Sequence, residues 1–396
     1  MEPSFALTHI AIVLSLAFIG GLLLQRLRQP AIVGYIIVGA IVGPGLLGLQ
    51  PQSETLSWFT ELAVIFLMFM LGLELDVSRF IRGMHTAIWI TAFQVCAGLA
   101  VMLTVALVLG WPLELGILLG FVVALSSTAV AVSMLRDLHE TNSSAGRLAT
   151  AILIAQDIAI VPMLLVVGSF GGGEFVVANL FKLGFGLAAI ALSIFAIYKF
   201  TQYPEWVARM ERLLAAGASQ QVVAGMALCF AGAALSGYLG LSTAYGAFAV
   251  GLLIGNVGTM GVTYRHAIHP IHDFLMMLFF LSIGLLLDFS FIADNILIIL
   301  SLLGVVIFLK TAFNIYLLRL LGSPPRTAYT LGAVLGQVGE FSFVLIAFGL
   351  SSGFISADGY RLALAVIALS LALSPLWFQM VRTYLGPQHH EPKPMW

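Results

Sequence analysis

The sequence predicts an all-α polytopic membrane protein of about thirteen transmembrane helices, arranged as inverted repeats, and three observations carry that fold class. Hydrophobic residues fill 61% of the 396 positions and charged residues only 9%, with a mean hydropathy of +1.07. A soluble domain carries about 25% charged residues, so too few are present to cover a water-facing surface. Apolar segments of about 20 residues, the helix length that crosses the bilayer core, recur along the whole chain. Two stretches far apart in sequence also match each other at a single offset. The composition excludes a soluble enzyme, a nucleic-acid-binding protein and a disordered regulator. Cys96 and Cys229 lie in apolar stretches and read as packing residues rather than a disulfide. No cofactor is expected.

The thirteen segments are 6–26, 31–49, 58–75, 85–110, 113–135, 147–169, 175–200, 219–238, 241–257, 268–288, 294–319, 327–350 and 360–382. Barrel strands would be shorter and alternate in polarity. The first segment lacks the basic region and small-residue cleavage site of a signal peptide and is expected to be retained. With the N-terminus outside, fourteen of the 17 lysines and arginines face the cytoplasm, from Arg26 and Arg28 through Arg136, Arg212 and Arg326 to Lys393. Lys182 and Arg361 face outward, and Lys310 lies inside span 11. That asymmetry predicts an inner-membrane protein with an external N-terminus and a cytoplasmic C-terminus. Tyr203 to Arg212 reads as an interfacial helix anchored by Trp206.

Gly34-Tyr-Ile-Ile-Val-Gly39-Ala-Ile-Val-Gly43 aligns with Gly246-Ala-Phe-Ala-Val-Gly251-Leu-Leu-Ile-Gly255 at an offset of 212. The same offset lays Gly72-Leu-Glu-Leu-Asp76 on Gly284-Leu-Leu-Leu-Asp288. The halves lie seven spans apart, an odd number, so their topology is inverted, with span 7 as the linker. Inverted repeats imply alternating access around a midplane site. The glycines Gly34, Gly39 and Gly43 recur near one helical face and permit close approach, joining two subunits or, as the alternative, packing helices within one subunit.

Three ionisable residues lie deep in apolar spans: Asp157, Lys310 and Glu340. A charge at the bilayer centre costs at least about 2.5–3.5 kcal/mol, so such groups face a cavity or a partner. Asp157 reads as a functional carboxylate beside Gln156, with Pro162 five residues on; the structural alternative is an ion pair with Lys310. For Lys310, neutralising a carboxylate and capping unwound carbonyls are equal readings. Two segments read as interrupted helices: Ser126-Ser127-Thr128, with three hydroxyls in a row, and Gly336-Gln-Val-Gly339-Glu340. The offset of 212 lays Ser127 on Gly339 and Thr128 on Glu340, as a crossed pair of broken helices would need. Glu74, Asp76 and Asp288 read as interfacial. His266, His269 and His272, with Asp273, read as a solvated turn, pH sensing being the alternative.

The ordered set Arg28-Gln-Pro30, Gly34-Tyr35, Gly43-Pro44, Gly72-Leu-Glu74-Leu-Asp76, Ser126-Ser-Thr-Ala129, Ala155-Gln156-Asp157, Ala244-Tyr-Gly-Ala-Phe248 and Gly339-Glu340-Phe341-Ser342 resembles the Kef-type potassium/proton antiporters of the monovalent cation:proton antiporter-2 family. The resemblance implies a sodium/proton antiporter-like fold. Panel or dimerisation helices would occupy 1–84 and 219–290, and core helices 85–174 and 291–384. A linker would occupy 175–218 and a cytoplasmic tail 385–396. By the same resemblance Asp157 matches the cation- and proton-binding carboxylate, with Gln156 in place of a second acid. Lys310 matches a basic residue of span 11, and Ser127, Thr128 and Glu340 fall at the helix crossover.

The resemblance implies secondary active exchange of K+ for H+, with a monovalent cation held by Asp157 and Gln156 beside Ser127 and Thr128. Lys310 and Glu340 would be supporting charges. Na+/H+ exchange is the alternative, and a passive cation channel a more distant one. A desolvated carboxylate holds either a proton or a cation, and that competition is exchange. No enzyme is expected: neither a His-Glu-x-x-His motif nor a second intramembrane aspartate accompanies Asp157. Expected partners are the transported ions, the lipid bilayer, a second copy in a homodimer and a separate cytoplasmic regulatory subunit, with no nucleic acid. The sequence ends at Trp396, so the chain is expected to be a short member without a nucleotide-binding domain, and nucleotide or glutathione control is not carried over.

Overall fold

In hydrocarbon a backbone must close its hydrogen bonds within each segment, and the chain does so as helices. The structure, a computed structural model, describes residues 3–26, 31–43, 53–75, 77, 85–138, 140–141, 143–171, 177–200, 202–214, 217–239 and 242–385, with no strand among them. Arg28, Pro30, Pro44, Asp76 and the tail beyond Leu385 lie outside the described residues. The first half contains α1 (Pro3–Arg26), α2 (Ala31–Val42), α3 (Ser53–Glu74), α4 (His85–Leu109), α5 (Leu113–Ala124), α6 (Thr128–Asp137) and α7 (Ser144–Ser169). After α8 (Val177–Phe200) and α9 (Pro204–Leu214) come α10 (Ala218–Tyr238), α11 (Thr243–Gly255), α12 (Met260–Leu285) and the short α13 (Phe289–Asp294). The chain continues through α14 (Ile296–Leu320), α15 (Pro325–Val334), α16 (Phe341–Ser351) and α17 (Ala357–Leu385).

Within the described residues, each of the thirteen apolar segments forms a helix or a pair of half-helices. The pairs are α5 with α6 and α15 with α16, where interruptions are expected. Among the described residues, six helices are by themselves long and apolar enough to cross a bilayer, α4, α7, α12 and α14 among them. The interfacial segment is α9. Span 10 differs from its expected bounds: α12 starts at Met260 and runs through Pro270. His266, His269 and His272 therefore sit on a helix, not on a solvated turn. Hydropathy registers only the lipid-embedded part of a helix, and the first turns of α12 are polar.

The repeat reappears as paired helix contacts. α2 packs on α12, and α11 packs on α3. A Cβ at Gly39 would strike the Leu281 carbonyl, and one at Gly251 the Phe69 carbonyl; 39 and 251, like 69 and 281, differ by 212. Gly284 meets the Ile36 carbonyl as Gly72 meets that of Phe248, and Gly43 meets Leu285 as Gly255 meets Leu73. Gly34 likewise faces Gly20, as Gly246 faces Gly232. These contacts decide between the two readings of the first set of glycines. The surfaces of Gly34, Gly39 and Gly43 are used inside one subunit, because close approach of α1, α2 and α12 leaves no room for a side chain.

A second set of contacts joins α4 with α5 and α7, α16 with α5 and α7, and α17 with α14 to α16. This set holds the two broken helices. The largest buried cluster runs through it, from Leu118 and Leu153 to Val334, Phe343 and Ile367.

Candidate functional site

Both helices break where the sequence lowers the cost of unwinding. Leu125 ends α5 in an extended conformation. Ser127 is extended too, and its hydroxyl accepts from the Val130 N–H at 3.3 Å, capping α6 as a serine does. In the partner, Leu335 to Glu340 separate α15 from α16. The breaks touch where Gly339 donates its N–H to the Leu125 carbonyl at 3.1 Å. A Cβ at Gly339 would come within 2.9 Å of the Ser126 backbone, so the crossing requires glycine there. The Ser126 hydroxyl donates to the Leu335 carbonyl at 2.9 Å, binding the second break to the first.

Unwinding leaves helix C-terminal ends, with negative partial charge, and N-terminal ends, with positive, inside the membrane. The ionisable residues answer each. Lys310, 4% exposed, donates to the carbonyls of Leu125 and of Gln337, the latter at 2.7 Å. One ammonium thus holds the loose carbonyls of both breaks. The acids lie at the opposite ends. Thr128, first residue of α6, donates its hydroxyl to Asp157 Oδ2 at 2.9 Å. Glu340, just before α16, accepts from the Ser127 hydroxyl at 2.6 Å. Asp157 on α7 is 8% exposed, and the adjacent residues Ser127 and Thr128 tie Glu340 and Asp157 to the same break.

The expected groups therefore converge, with their roles sorted. None of the ion pairs among the described residues, His269–Asp273, His272–Asp273, Arg361–Asp288 and Arg361–Asp358, involves Asp157, Glu340 or Lys310. Of the two readings of Lys310, the structure has the carbonyl cap. Gln156 is fully buried and turned away from the carboxylate beside it. Its Oε1 accepts from the Ser126 N–H at 2.9 Å and its Nε2 donates to Gln94 Oε1 at 2.7 Å. Gln94 in turn donates to Asn314 Oδ1 at 2.8 Å. Gln94 and Asn314 were not legible as site residues, because a search keyed to buried charge passes over neutral amides. An amide isolated in an apolar span was the available signal. Gln337 belongs here as well, donating to the Ser127 carbonyl at 3.2 Å.

The remaining candidates lie elsewhere. Glu74 closes α3 and is exposed. Asp288 caps α13, where the Ser290 hydroxyl and then the Phe291 N–H hold its carboxyl below the usual range. His269 and His272 lie 3.1 and 3.3 Å from Asp273.

Among the described residues the arrangement is two carboxylates, Asp157 and Glu340, each accepting from one hydroxyl and neither ion-paired, at a crossing whose loose carbonyls are held by Lys310. Such a group takes up a proton or a small cation from whichever side reaches it.

Residues 13–381 match the family described as sodium/hydrogen exchanger, transmembrane. The chain is 39% identical over 376 residues to the iron transporter MagA of Paramagnetospirillum magneticum, covering 95% of this chain and 86% of that protein. It is 30% identical over 384 residues to the putative cation/proton antiporter YbaL of Escherichia coli, covering 94% and 68%. Against K(+) efflux antiporter 5 of Arabidopsis thaliana the identity is 28% over 377 residues, covering 95% of this chain and 66% of that one. The solved sodium proton antiporter MjNhaP1 from Methanocaldococcus jannaschii, at pH 8, superposes with a TM-score of 0.70. That match covers 98% of this chain and 100% of that one at 17% identity, a likeness of fold.

Proposed function

The chain belongs to the transmembrane sodium/hydrogen exchanger family, and from that premise we propose that it exchanges K+ for H+, the two ions competing for Asp157. The coarser statement, a multi-pass membrane antiporter of cations against protons and not an enzyme, follows from the family and its neighbours. The observation that carries the finer reading is Asp157 itself: buried, mid-helix, without a cationic partner and bonded to the Thr128 hydroxyl. Deprotonated, it holds the cation, and the Thr128 and Ser127 oxygens complete the shell. Protonated, it releases the cation. Glu340 supports the site through Ser127, Lys310 keeps the breaks together, and Gln156 holds the first break against α7.

The reading includes a panel of spans 1–3 and 8–10 and a core of spans 4–6 and 11–13, rocking about the crossing with the N-terminus outside. The two sets of helix contacts and the one-sided basic residues support it. K+ is favoured over Na+ by the neutral Gln156 beside Asp157 and by the likeness to a K(+) efflux antiporter.

Iron transport is a second reading, favoured by the 39% identity to MagA. It is weakened by the donor set: no group of three or more His, Cys, Asp or Glu among the described residues could hold a metal ion. Proteoliposomes carrying a pH-sensitive dye distinguish these. Pulses of K+, Na+, Li+ and Fe2+ are compared, with K+ expected to move protons at the lowest concentration. A Na+ preference would overturn the choice of cation, a response to Fe2+ alone would favour the second reading, and uncoupled current would mean a channel.

A further inference from the structure

Three buried amides and one backbone N–H form a directed chain beside the crossing. The Ser126 N–H, freed by the break, donates to Gln156 Oε1 (2.9 Å). Gln156 Nε2 donates to Gln94 Oε1 (2.7 Å), and Gln94 Nε2 donates to Asn314 Oδ1 (2.8 Å). Gln156, Asn314 and Gln94 are 0%, 1% and 4% exposed, so none exchanges these partners for water. In each of the two glutamines the carbonyl accepts on one side and the N–H donates on the other. Turning either one over would set N–H against N–H, so the chain has a single orientation.

That orientation bears on Asp157. The first break is tied to α7 at two adjacent points, Ser126 to Gln156 and Thr128 to Asp157. The first tie holds only while the Gln156 amide is fixed, and what fixes it is Gln94, itself held by Asn314. Asn314 follows Lys310 by one turn on α14. The same helix therefore grips the crossing twice, by the ammonium on the Leu125 and Gln337 carbonyls and by the amide chain on Ser126.

Resting on the assignment of Asp157 as the exchange site, we propose that Gln94 and Asn314 are positioning residues for the exchange. Through Gln156 they fix the height at which the Thr128 hydroxyl meets the Asp157 carboxylate, and so set the apparent cation affinity and its pH dependence. Interhelical amide bonds can also serve as simple glue between helices. Glue alters stability alone, whereas positioning alters half-saturation and the pH profile in a protein that stays folded.

Gln94→Leu cuts the chain at its middle. In proteoliposomes it is expected to raise the cation concentration for half-maximal exchange about twofold to tenfold, the scale of one hydrogen bond. It should also displace the pH profile and change the maximal rate less. In a Thr128→Val background the same substitution should add little, because the contact through which it acts is gone. Unchanged half-saturation and pH profile in a monodisperse Gln94→Leu protein, or additive effects in the double variant, would overturn the proposal. Should Gln94→Leu not fold, Asn314→Leu takes its place: it orphans one Gln94 N–H and leaves Gln156 paired. A smaller displacement in the same direction is then expected, and none overturns the proposal. Wild-type protein runs alongside; if it moves no protons with any cation, the antiport reading fails, whereas an active wild type with an indifferent Gln94→Leu variant sinks the positioning role alone.

Discussion

Lys310 is a charge in the membrane whose partners are two carbonyl oxygens rather than an acid. Replacing it by methionine keeps much of the length, leaves the Gln337 carbonyl without the Lys310 donor and leaves the Leu125 carbonyl with the Gly339 N–H alone. An unsatisfied buried polar group costs about 1–3 kcal/mol, and here the Gln337 carbonyl is orphaned while that of Leu125 loses one of its two donors. Lys310→Met should lower the thermal unfolding midpoint in detergent well below that of Thr128→Val, which loses one hydroxyl bond to Asp157. Thr128→Val should instead show itself in transport, raising half-saturation about twofold to tenfold. Equal loss of stability in the two variants would contradict this division. Asp157, Thr128 and Lys310 were all legible in the sequence, because charge and clustered hydroxyls are costly in lipid and stand out. The choice between the two roles of Lys310 was not legible, since it depends on which carbonyls the crossing exposes.

Among the elements, α2 and α12 show how far glycine spacing can be read. The repeat of small residues announced close packing, but not against what. With the Leu281 carbonyl in the way, Gly39→Leu should separate α2 from α12 and destabilise the protein by about 1–3 kcal/mol, read as a lower melting midpoint. Gly184→Ala on α8, where nothing lies within 4 Å, should be neutral. The α9 helix offers a second test. Glu211 accepts from the Thr259 N–H at 2.8 Å and the Thr259 hydroxyl at 2.9 Å, just ahead of α12, while Trp206 and Val207 pack towards Tyr264 and Ile268. The Thr259 N–H, then its hydroxyl, hold the Glu211 carboxyl below its ordinary range. A depressed carboxylate stabilises above its unfolded pKa and loses that stabilisation as the pH falls through its folded value. Amide exchange across Pro204–Leu214, taken relative to the intrinsic rate at each pH, should therefore accelerate on acidification to about pH 4 or below. In Glu211→Gln it should already be faster at neutral pH, with the acid-dependent step gone; an unchanged step would contradict the contact. Hydropathy found α9 through Trp206 but missed the polar start of α12, to which α9 is attached.

At the scale of the whole molecule, symmetry governs the frame and not the chemistry. Glycine contacts recur at 212 residues on both halves, so the same packing is built twice in one frame, the symmetry that the proposed alternating access would use. The carriers of charge do not recur: Asp157 falls on Leu369, Lys310 on Gly98, and Thr128 on Glu340. Both acids of the crossing, Asp157 and Glu340, lie at one place in that frame, which fits the single exchange site proposed above. The sequence showed this division because the packing glycines repeat, and Asp76 with them as Asp288, whereas Asp157 and Lys310 do not. The central claim is that cation and proton compete at Asp157, and the most direct measurement is the half-saturating K+ concentration of proton-coupled flux as a function of pH, in wild type and Asp157→Asn. Competition is expected to raise that concentration about tenfold for each unit of acidification below the pKa of the site, and the folded amide variant to show no coupled flux. A half-saturation indifferent to pH, or full exchange by well-folded Asp157→Asn, would contradict it.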